Sequence, residues 1–201
     1  MLDLAPETAN ALVNSKQKGQ SVALAGEYMD IIRLPNDEAA VRRYVEDLWL
    51  PYNRELETIV EGFALADDVN LVAEELEYRL DLLGTESYRT WIAVDGLSNE
   101  VGLADVSGEF AGFVTTDIDE SPSVFGRPDR LTVCDIYVRE PYRGTGLTRE
   151  LIDRARIRAR ESGCAELTLD VNIDNERAIA FYEKLGFEPF RHTLVTSADE
   201  Q

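Results

Sequence analysis

The sequence is poor in positive charge. Only three of its 20 basic residues are lysine, against 39 acidic residues, and the formal net charge is −19. Nucleic-acid binding needs cationic side chains at the phosphates, so we expect no nucleic-acid partner. The acidic residues are spread over the whole chain, and such a surface stays solvated at high salt. This haloarchaeal-like composition favours a halophilic protein; a merely acidic mesophilic protein and an acidic groove for cationic amines remain alternatives.

Cysteine and histidine are scarce, which limits the chemistry available to the chain. Cys134 and Cys164 allow at most one disulfide, and we expect both to stay reduced. They lack the spacing of a zinc site, so we predict no metal. The single histidine, His192, lies in a predicted strand and is interpreted as an ordinary strand residue, which disfavours a Ser-His or Cys-His nucleophile.

Apolar runs are too short to predict a membrane-spanning helix. The first residues lack the pattern of a secretion signal, so we expect a cytoplasmic protein with no membrane partner. Residues 1–27 are weakly periodic and are interpreted as a flexible or loosely docked N-terminal arm. Residues 28–201 are predicted to form a single domain, because 201 residues with 44% hydrophobic content suit one core.

The apolar periodicity predicts an α+β protein with the order β-α-α-β-β-β-α-β-α-β. Pro51 is expected to end the first helix, Asn175 to begin the last, and Gly112 to mark a bulge in a strand. The predicted strands are 28–34, 91–94, 110–116, 131–138, 167–172 and 187–195; the predicted helices start at Asn36 or Asp37 and cover 68–83, 147–162 and 175–185.

A glycine turn, Arg143-Gly144-Thr145-Gly146-Leu147-Thr148, joins a predicted strand to a predicted helix. Glycine lets the backbone approach a ligand, and the free N–H groups of the following helix form an anion site with the helix dipole. The turn therefore suits a pyrophosphate, with Arg143 adding a charged contact, although a purely structural turn is an alternative. The Gly-Lys-Ser/Thr ending of a P-loop is missing, and Arg149 stands where a dinucleotide fingerprint needs a small residue.

Two segments resemble the signatures of the GNAT acetyltransferase superfamily. After a strand, Pro141 to Gly146 is similar to Q/R-x-x-G-x-G/A, and Asn175 to Phe187 is similar to N-x-x-A-x-x-x-Y-x-K-x-G-F. The signatures occur in the family's order with a helix and a strand between them, and the resemblance covers residues 28–195. It implies a GNAT fold, which is a mixed, twisted central sheet flanked by helices.

Within the superfamily, the chain most resembles N-terminal acetyltransferases of the ribosomal-protein alanine type. The shared features are the pattern Ile136-Tyr137-Val138 before the turn and an acidic residue, Asp170, five positions before Asn175. The resemblance implies an acetyl-CoA-dependent N-acetyltransferase, with acetyl-CoA as co-substrate and no metal.

The resemblance also implies the cofactor-binding residues. The backbone groups of Ile136, Tyr137 and Val138 would hold the pantetheine arm and polarise the thioester carbonyl. Thr148 departs from the family, which has Gly or Ala at this position, and adds bulk near the phosphates. The residues implied for the pyrophosphate are Arg143, Gly144, Thr145, Gly146, Leu147, Thr148 and Arg149.

Tyr182 occupies the family's position for the general acid, where a phenol gives its proton to the departing thiolate. Asn175 would cap its helix and touch the cofactor. The resemblance gives Asp170 as the base for the amine, with Glu109 as the next candidate. Alternation along the strand 131–138 places Asp135 on the face away from the site.

The implied reaction is direct transfer of an acetyl group to a primary amine, without a covalent enzyme intermediate. The acceptor is left open between a protein N-terminus, a small polyamine or aminoglycoside-like amine, and an amino acid. A non-catalytic acyl-CoA-binding module on the same fold is the competing interpretation. A homodimer also stays open.

Overall fold

The fold is built on one mixed sheet of six strands, which lie side by side in chain order. The computed structural model describes residues 21–24, 27–60, 62–96, 103 and 108–198. Neighbouring strands pair antiparallel, except for the last two, which are parallel. The strands are β1 (Ser21–Leu24), β2 (Glu27–Arg33), β3 (Arg89–Asp95), β4 (Glu109–Asp119), β5 (Arg130–Val138) and β6 (Glu166–Leu169).

Helices cover both faces of the sheet, which confirms the predicted α+β class. One face carries α1 (Glu38–Tyr44), a π-helical turn (Val45–Trp49), α2 (Leu50–Leu56) and α3 (Leu71–Leu83); the other carries α4 (Leu147–Glu161) and α5 (Glu176–Lys184). None of the helices in the described ranges is both long and apolar enough to cross a membrane.

Two apolar cores hold the layers together, one on each face. On the α1 side, Tyr44 and Phe113 are fully buried, and their rings meet edge to face at 5.1 Å. On the α4 side, Leu131, Leu151 and Ile152 are fully buried. Burial of each large apolar side chain stabilises the fold by about 1.5–3 kcal/mol. The two cores therefore hold the helices against the sheet and keep the strand ends in place.

The first helical segment continues through Pro51, so the predicted break at this residue is wrong. The winding changes from α to π over Val45–Trp49, and the Leu50 N–H bonds the carbonyl five residues back. Pro51 then falls in the first turn of α2, where its missing N–H costs no helical hydrogen bond. The extra turns bring α2 into contact with the end of β5.

A bulge beside Gly112 agrees with the prediction for this glycine. The pairing of β3 with β4 shifts between Ala93 and Val94, which leaves Ala111 without a partner in β3. A Cβ on Gly112 would lie 2.5 Å from the carbonyl oxygen of Tyr137. Only glycine therefore allows β4 and β5 to approach this closely.

A second bulge decides which face of β5 its residues occupy. The register of β4 with β5 shifts once, and Cys134 is left without a partner in β4. The alternation of side chains therefore changes after Cys134. Asp135 lies 3.8 Å from Arg79 of α3, and Tyr137 packs into the core on the α1 side. The prediction that Asp135 points away from the site is corrected by this bulge.

Both ends of the chain differ from the prediction. β1 lies within the predicted N-terminal arm, whose residues 1–20 are outside the described part of the chain. The predicted last strand, 187–195, is absent; these residues form no ladder, and Leu194 is 92% exposed. Pro189 lies in this segment and has no N–H to donate to a ladder. His192 is therefore an exposed residue of an irregular segment rather than of a strand.

Candidate active site

β5 extends beyond the end of its parallel neighbour β6. Their parallel pairing ends with Val133 opposite Leu169, because β6 stops there while β5 continues to Val138. The bulged residue Cys134 lies where the two strands part. A wedge therefore opens beside the last five residues of β5, and it presents strand backbone that a ligand can bind.

Alternate residues of β5 direct their backbone groups into the wedge. The Arg139 N–H donates to the Ala111 carbonyl of β4 at 2.9 Å. Because the bonding direction alternates along an antiparallel strand, Tyr137 also bonds toward β4, whereas Ile136 and Val138 face the wedge. Of the three residues expected to hold the pantetheine arm, Ile136 and Val138 direct their backbone toward the wedge, whereas Tyr137 pairs with Phe113 of β4 and its side chain is buried.

The glycine turn follows β5 and begins α4. Gly144 and Gly146 have φ angles of +81° and +100°, which other residues rarely adopt. A Cβ at either position would meet no atom within 4 Å, so the turn borders open space. Gly146 is the N-cap of α4, and no side chain caps this helix end. The first N–H groups of α4 and the helix dipole therefore form a site for an anionic group.

The side chains of the turn mainly fix its shape. The Thr145 hydroxyl donates to the Tyr142 carbonyl at 2.7 Å, and Leu147 is buried in the core on the α4 side. Thr148 is half-buried and Arg149 is exposed. The residues expected at the pyrophosphate thus lie together, with backbone N–H groups as the donors nearest the helix end.

Arg143, the first residue of the turn, already has partners within the protein. Its Nε donates to the Val138 carbonyl at 2.9 Å, and its Nη2 pairs with Glu55 of α2. The other carboxylate oxygen of Glu55 accepts from the Tyr137 hydroxyl at 2.5 Å. Glu55 is not among the residues predicted for the site, because the break predicted at Pro51 leaves it outside any helix that reaches the turn.

The second signature begins α5 and positions Tyr182. Asn175 caps the helix, since its side-chain oxygen accepts from the Ala178 N–H at 3.1 Å. Tyr182 is half-buried between Phe181 and Phe187, with T-shaped ring contacts at 5.5 and 5.7 Å. Burial raises the pKa of Tyr182 to about 12. Its hydroxyl has no hydrogen-bond partner among the residues the structure describes, so it is free to meet a ligand.

Residues 52–187 match the model of the acetyltransferase (GNAT) family. The match includes the wedge, the glycine turn and α5. This chain belongs to the GNAT family. The family resemblance inferred from the two signatures is confirmed at this level.

Several known proteins are similar to this GNAT chain. N-alpha-acetyltransferase MAK3 of Arabidopsis thaliana is 35% identical over 85 residues, which is 42% of this chain and 43% of that protein. The matches with the first three curated relatives span 43%, 56% and 38% of their lengths, so the chain matches about half of each or less.

Solved structures share the fold at low sequence identity. A tetramutant of the BH1408 protein from Bacillus halodurans has a TM-score of 0.63 at 16% identity, over 83% of this chain and 98% of that chain. Aminoglycoside N-acetyltransferase AAC(6')-Iy, in complex with CoA, has a TM-score of 0.57 at 17% identity, over 89% and 99%. At these identities the similarity establishes the GNAT fold of the chain.

Two carboxylates of this GNAT site are candidates for a base. Asp170 follows β6 and is exposed, and it makes no hydrogen bond or ion pair with other described residues. Asp135 of β5 accepts from the Thr115 hydroxyl at 3.1 Å and lies 3.8 Å from Arg79, while its side chain remains 27% exposed. Asp135 is therefore both held in place and accessible, whereas Asp170 is accessible but not held.

Tyr52 of α2 connects the two sides of the site. Its ring lies 5.5 Å from the ring of Tyr137. Burial raises the pKa of Tyr52, and the nearby Asp135 and Tyr182 add to the rise. The contacts of Tyr52 and Glu55 with Tyr137 place α2 against the end of β5, beside the wedge.

The remaining candidate groups form no second site. Glu109, the next base considered, is paired with Arg139 and accepts from the Tyr142 hydroxyl at 3.3 Å. Within the described ranges, His, Cys, Asp and Glu side chains form no group of three or more that could hold a metal ion. The chemistry of the site is therefore assigned to the residues around the wedge.

Proposed function

We propose that this protein is an acetyl-CoA-dependent N-acetyltransferase that transfers the acetyl group directly to a primary amine. The observation that carries the proposal is the wedge between β5 and β6, followed along the chain by the uncapped helix end at Gly146. Free strand backbone next to an anion site suits a ligand with an amide-bearing arm and a pyrophosphate. Membership of the GNAT family supports the same function.

The residues present fit this ligand. The N–H groups after Gly144 and Gly146 are proposed to bind the pyrophosphate, where the missing Cβ atoms leave open space. Ile136 and Val138 are proposed to bind the pantetheine arm through their backbone. The side-chain amide nitrogen of Asn175 is proposed to add a contact to the cofactor. When bound, acetyl-CoA supplies an activated acetyl group as a thioester.

Tyr182 is proposed as the proton donor to the leaving sulfur. Burial disfavours its phenolate and places its pKa at about 12, so Oη keeps its proton at neutral pH. Phe181 and Phe187 hold the ring from two sides. A positioned phenol with an unbonded hydroxyl is suited to general acid catalysis.

Asp135 is proposed to accept the proton that the amine loses, with Asp170 as the alternative. A general base must be held within hydrogen-bond reach of the reacting proton. Thr115 and Arg79 hold Asp135 on the strand that borders the wedge. The exposed Asp170 lies beyond the end of β6, and none of the described residues holds it by a hydrogen bond or ion pair.

The α-amino group of a protein N-terminus is proposed as the acceptor. The resemblance in Ile136-Tyr137-Val138 and the similarity to an N-alpha-acetyltransferase support this choice. A small polycationic amine is the second candidate, because the net charge of −19 attracts cations and an aminoglycoside N-acetyltransferase shares the fold.

A turnover assay with matched acceptors tests the proposal. A short peptide with a free N-terminus and no lysine, the same peptide with a blocked N-terminus, spermidine and an aminoglycoside would each be incubated with acetyl-CoA, at low and at molar KCl. Release of coenzyme A and the mass of the acceptor would be measured. We expect the free peptide to be acetylated and its blocked counterpart to remain unchanged.

Two other outcomes have definite meanings. Acetylation of spermidine or the aminoglycoside, but not of the peptide, would replace the N-terminal acceptor with a small amine. Binding of coenzyme A by calorimetry without turnover of any acceptor would favour the non-catalytic acyl-CoA-binding module.

A further inference from the structure

Glu55 joins three elements at the edge of the wedge. It belongs to α2, and its carboxylate accepts from the Tyr137 hydroxyl of β5 at 2.5 Å while pairing with Arg143 of the glycine turn. Arg143 also donates from Nε to the Val138 carbonyl at 2.9 Å. The side chains of Glu55 and Arg143 are 44% and 33% exposed, so this ion pair is open to solvent.

The Tyr137 hydroxyl fixes where the carboxylate lies. Tyr137 is only 8% exposed, and its ring packs against Tyr52 of α2 and Phe113 of β4. Burial and the hydrogen bond to Glu55 raise the pKa of Tyr137 to about 12, so the phenol remains a donor at neutral pH. Glu55 is therefore held next to Arg143 by a donor that cannot easily move.

This arrangement reduces the positive charge that Arg143 can offer to a ligand. A guanidinium has five N–H donors, and Val138 and Glu55 already occupy part of this set. The carboxylate also neutralises the charge of the guanidinium and repels any anion that approaches the turn. Glu55 therefore opposes pyrophosphate binding both through Arg143 and directly.

We propose that Glu55 is a positioning residue that sets the affinity of the glycine turn for coenzyme A, by holding Arg143 in an ion pair that the pyrophosphate must share or displace. The inference rests on the proposed function, since it takes the turn to be a coenzyme A site. A weaker hold on coenzyme A favours release of the product after each transfer.

Calorimetric titration of the full chain with coenzyme A tests the proposal. Glu55→Gln keeps an oxygen for the Tyr137 hydroxyl and removes the charge, so coenzyme A should bind about threefold more tightly or better, the size expected for one partly exposed charge. Arg143→Gln should bind coenzyme A more weakly than the wild type. In the Arg143→Gln background, Glu55→Gln should raise the affinity for coenzyme A by less than it does in the wild type, because the Arg143 guanidinium that Glu55 neutralises is absent.

Glu57→Gln is the matched control. Glu57 lies in the same turn of chain and pairs with Arg54 at 3.0 Å, but it contacts neither β5 nor the glycine turn. The Glu57→Gln variant should bind coenzyme A within about twofold of the wild-type affinity, because the ion pair that it loses is exposed and away from the ligand. Pantetheine, which carries no pyrophosphate, should bind the wild type and Glu55→Gln equally.

Three results would overturn the inference alone: no gain in Glu55→Gln, an equal gain in the Arg143→Gln background, or the same gain with pantetheine. A folded wild-type protein that binds no coenzyme A would overturn the proposed function and this inference with it. Circular dichroism of each variant establishes that it is folded before its affinity is compared.

Discussion

Tyr182 is the proton donor and Asp135 the proton acceptor in the proposed reaction. Tyr182 lies among aromatic rings, and its raised pKa of about 12 keeps the hydroxyl protonated. Asp135 lies among polar groups, where the Thr115 hydroxyl and the Arg79 guanidinium orient its carboxylate. One residue can thus give a proton and the other can take one, and each role follows from the surroundings of the side chain.

Replacing Tyr182 by Phe removes only the hydroxyl, so the packing against Phe181 and Phe187 should survive. General acid catalysis is worth about a hundredfold or more, and we expect kcat to fall at least about tenfold while the affinity for coenzyme A is nearly kept. Steady-state kinetics with the best acceptor, together with calorimetry, measures both quantities. An unchanged kcat would mean that the sulfur takes its proton from water.

Asp135→Asn and Asp170→Asn separate the two base candidates. Both changes keep the shape of the side chain, and we expect only Asp135→Asn to lower kcat/KM, by about tenfold or more. The loss should be greatest at low pH, where the amine is most fully protonated. A pH series of kcat/KM for both variants measures this. The reverse pattern would restore Asp170 as the base.

At the scale of elements, the site depends on where strands and helices end. β6 is only four residues long and β5 continues beyond it, which creates the wedge. α4 begins at a left-handed glycine that no side chain caps, which creates the anion site. Gly163, two residues beyond the other end of α4, has a similar φ of +74° and lies in the connection to β6.

The two glycines with positive φ near the ends of α4 allow a controlled test of the pyrophosphate site. Gly146→Asp and Gly163→Asp both place a side chain on a left-handed residue with open space around it, at a cost of about 1–2 kcal/mol each. Only Gly146→Asp should abolish coenzyme A binding, because its carboxylate would face the anion. Calorimetry and thermal unfolding of both variants measure the two effects. Unchanged affinity in folded Gly146→Asp would show that the site lies elsewhere.

Elements that depend on residues close in sequence were predictable, and those that depend on distant contacts were not. The glycine turn, α4 and the Asn175 cap of α5 follow from local patterns, and the structure has all of them. The helix through Pro51 depends on a π-helical turn, and the orientation of Asp135 depends on a bulge opposite β4. Neither feature has a residue pattern of its own, so the positions of Glu55 and Asp135 at the candidate site could not be predicted from the sequence.

Across the whole molecule, acidic groups outnumber their possible partners. The net charge is −19, and three arginines of the described residues, Arg79, Arg130 and Arg158, are buried in the fold. Arg158, for example, is buried and donates to the Thr116 carbonyl at 2.8 Å, where it pairs with no carboxylate among the described residues. The surplus carboxylates repel one another, and this repulsion is strongest when little salt is present.

Thermal unfolding in KCl tests the consequence of this charge. We expect the midpoint to rise between about 0.05 M and about 2 M KCl, with most of the rise at the lower concentrations, where the Debye length changes most. A midpoint that is flat or falls over this range would contradict the halophilic interpretation. Circular dichroism at several salt concentrations is sufficient for the measurement.

The groups proposed to bind the cofactor all lie in one continuous stretch of chain, from Ile136 to Tyr182, whereas Tyr52, Glu55 and Arg79 come from helices before β3. The family match begins at Tyr52, so α1 and the π-helical turn lie outside it, whereas these three residues lie within it. Asp135, the proposed base, immediately precedes that stretch, so the acceptor side of the site draws on β5 as well as on α2 and α3. We expect substitutions in α2 and α3 that spare Glu55 to change which amine is accepted while the stretch that binds the acetyl carrier stays the same, so new acceptors can evolve without rebuilding the carrier site.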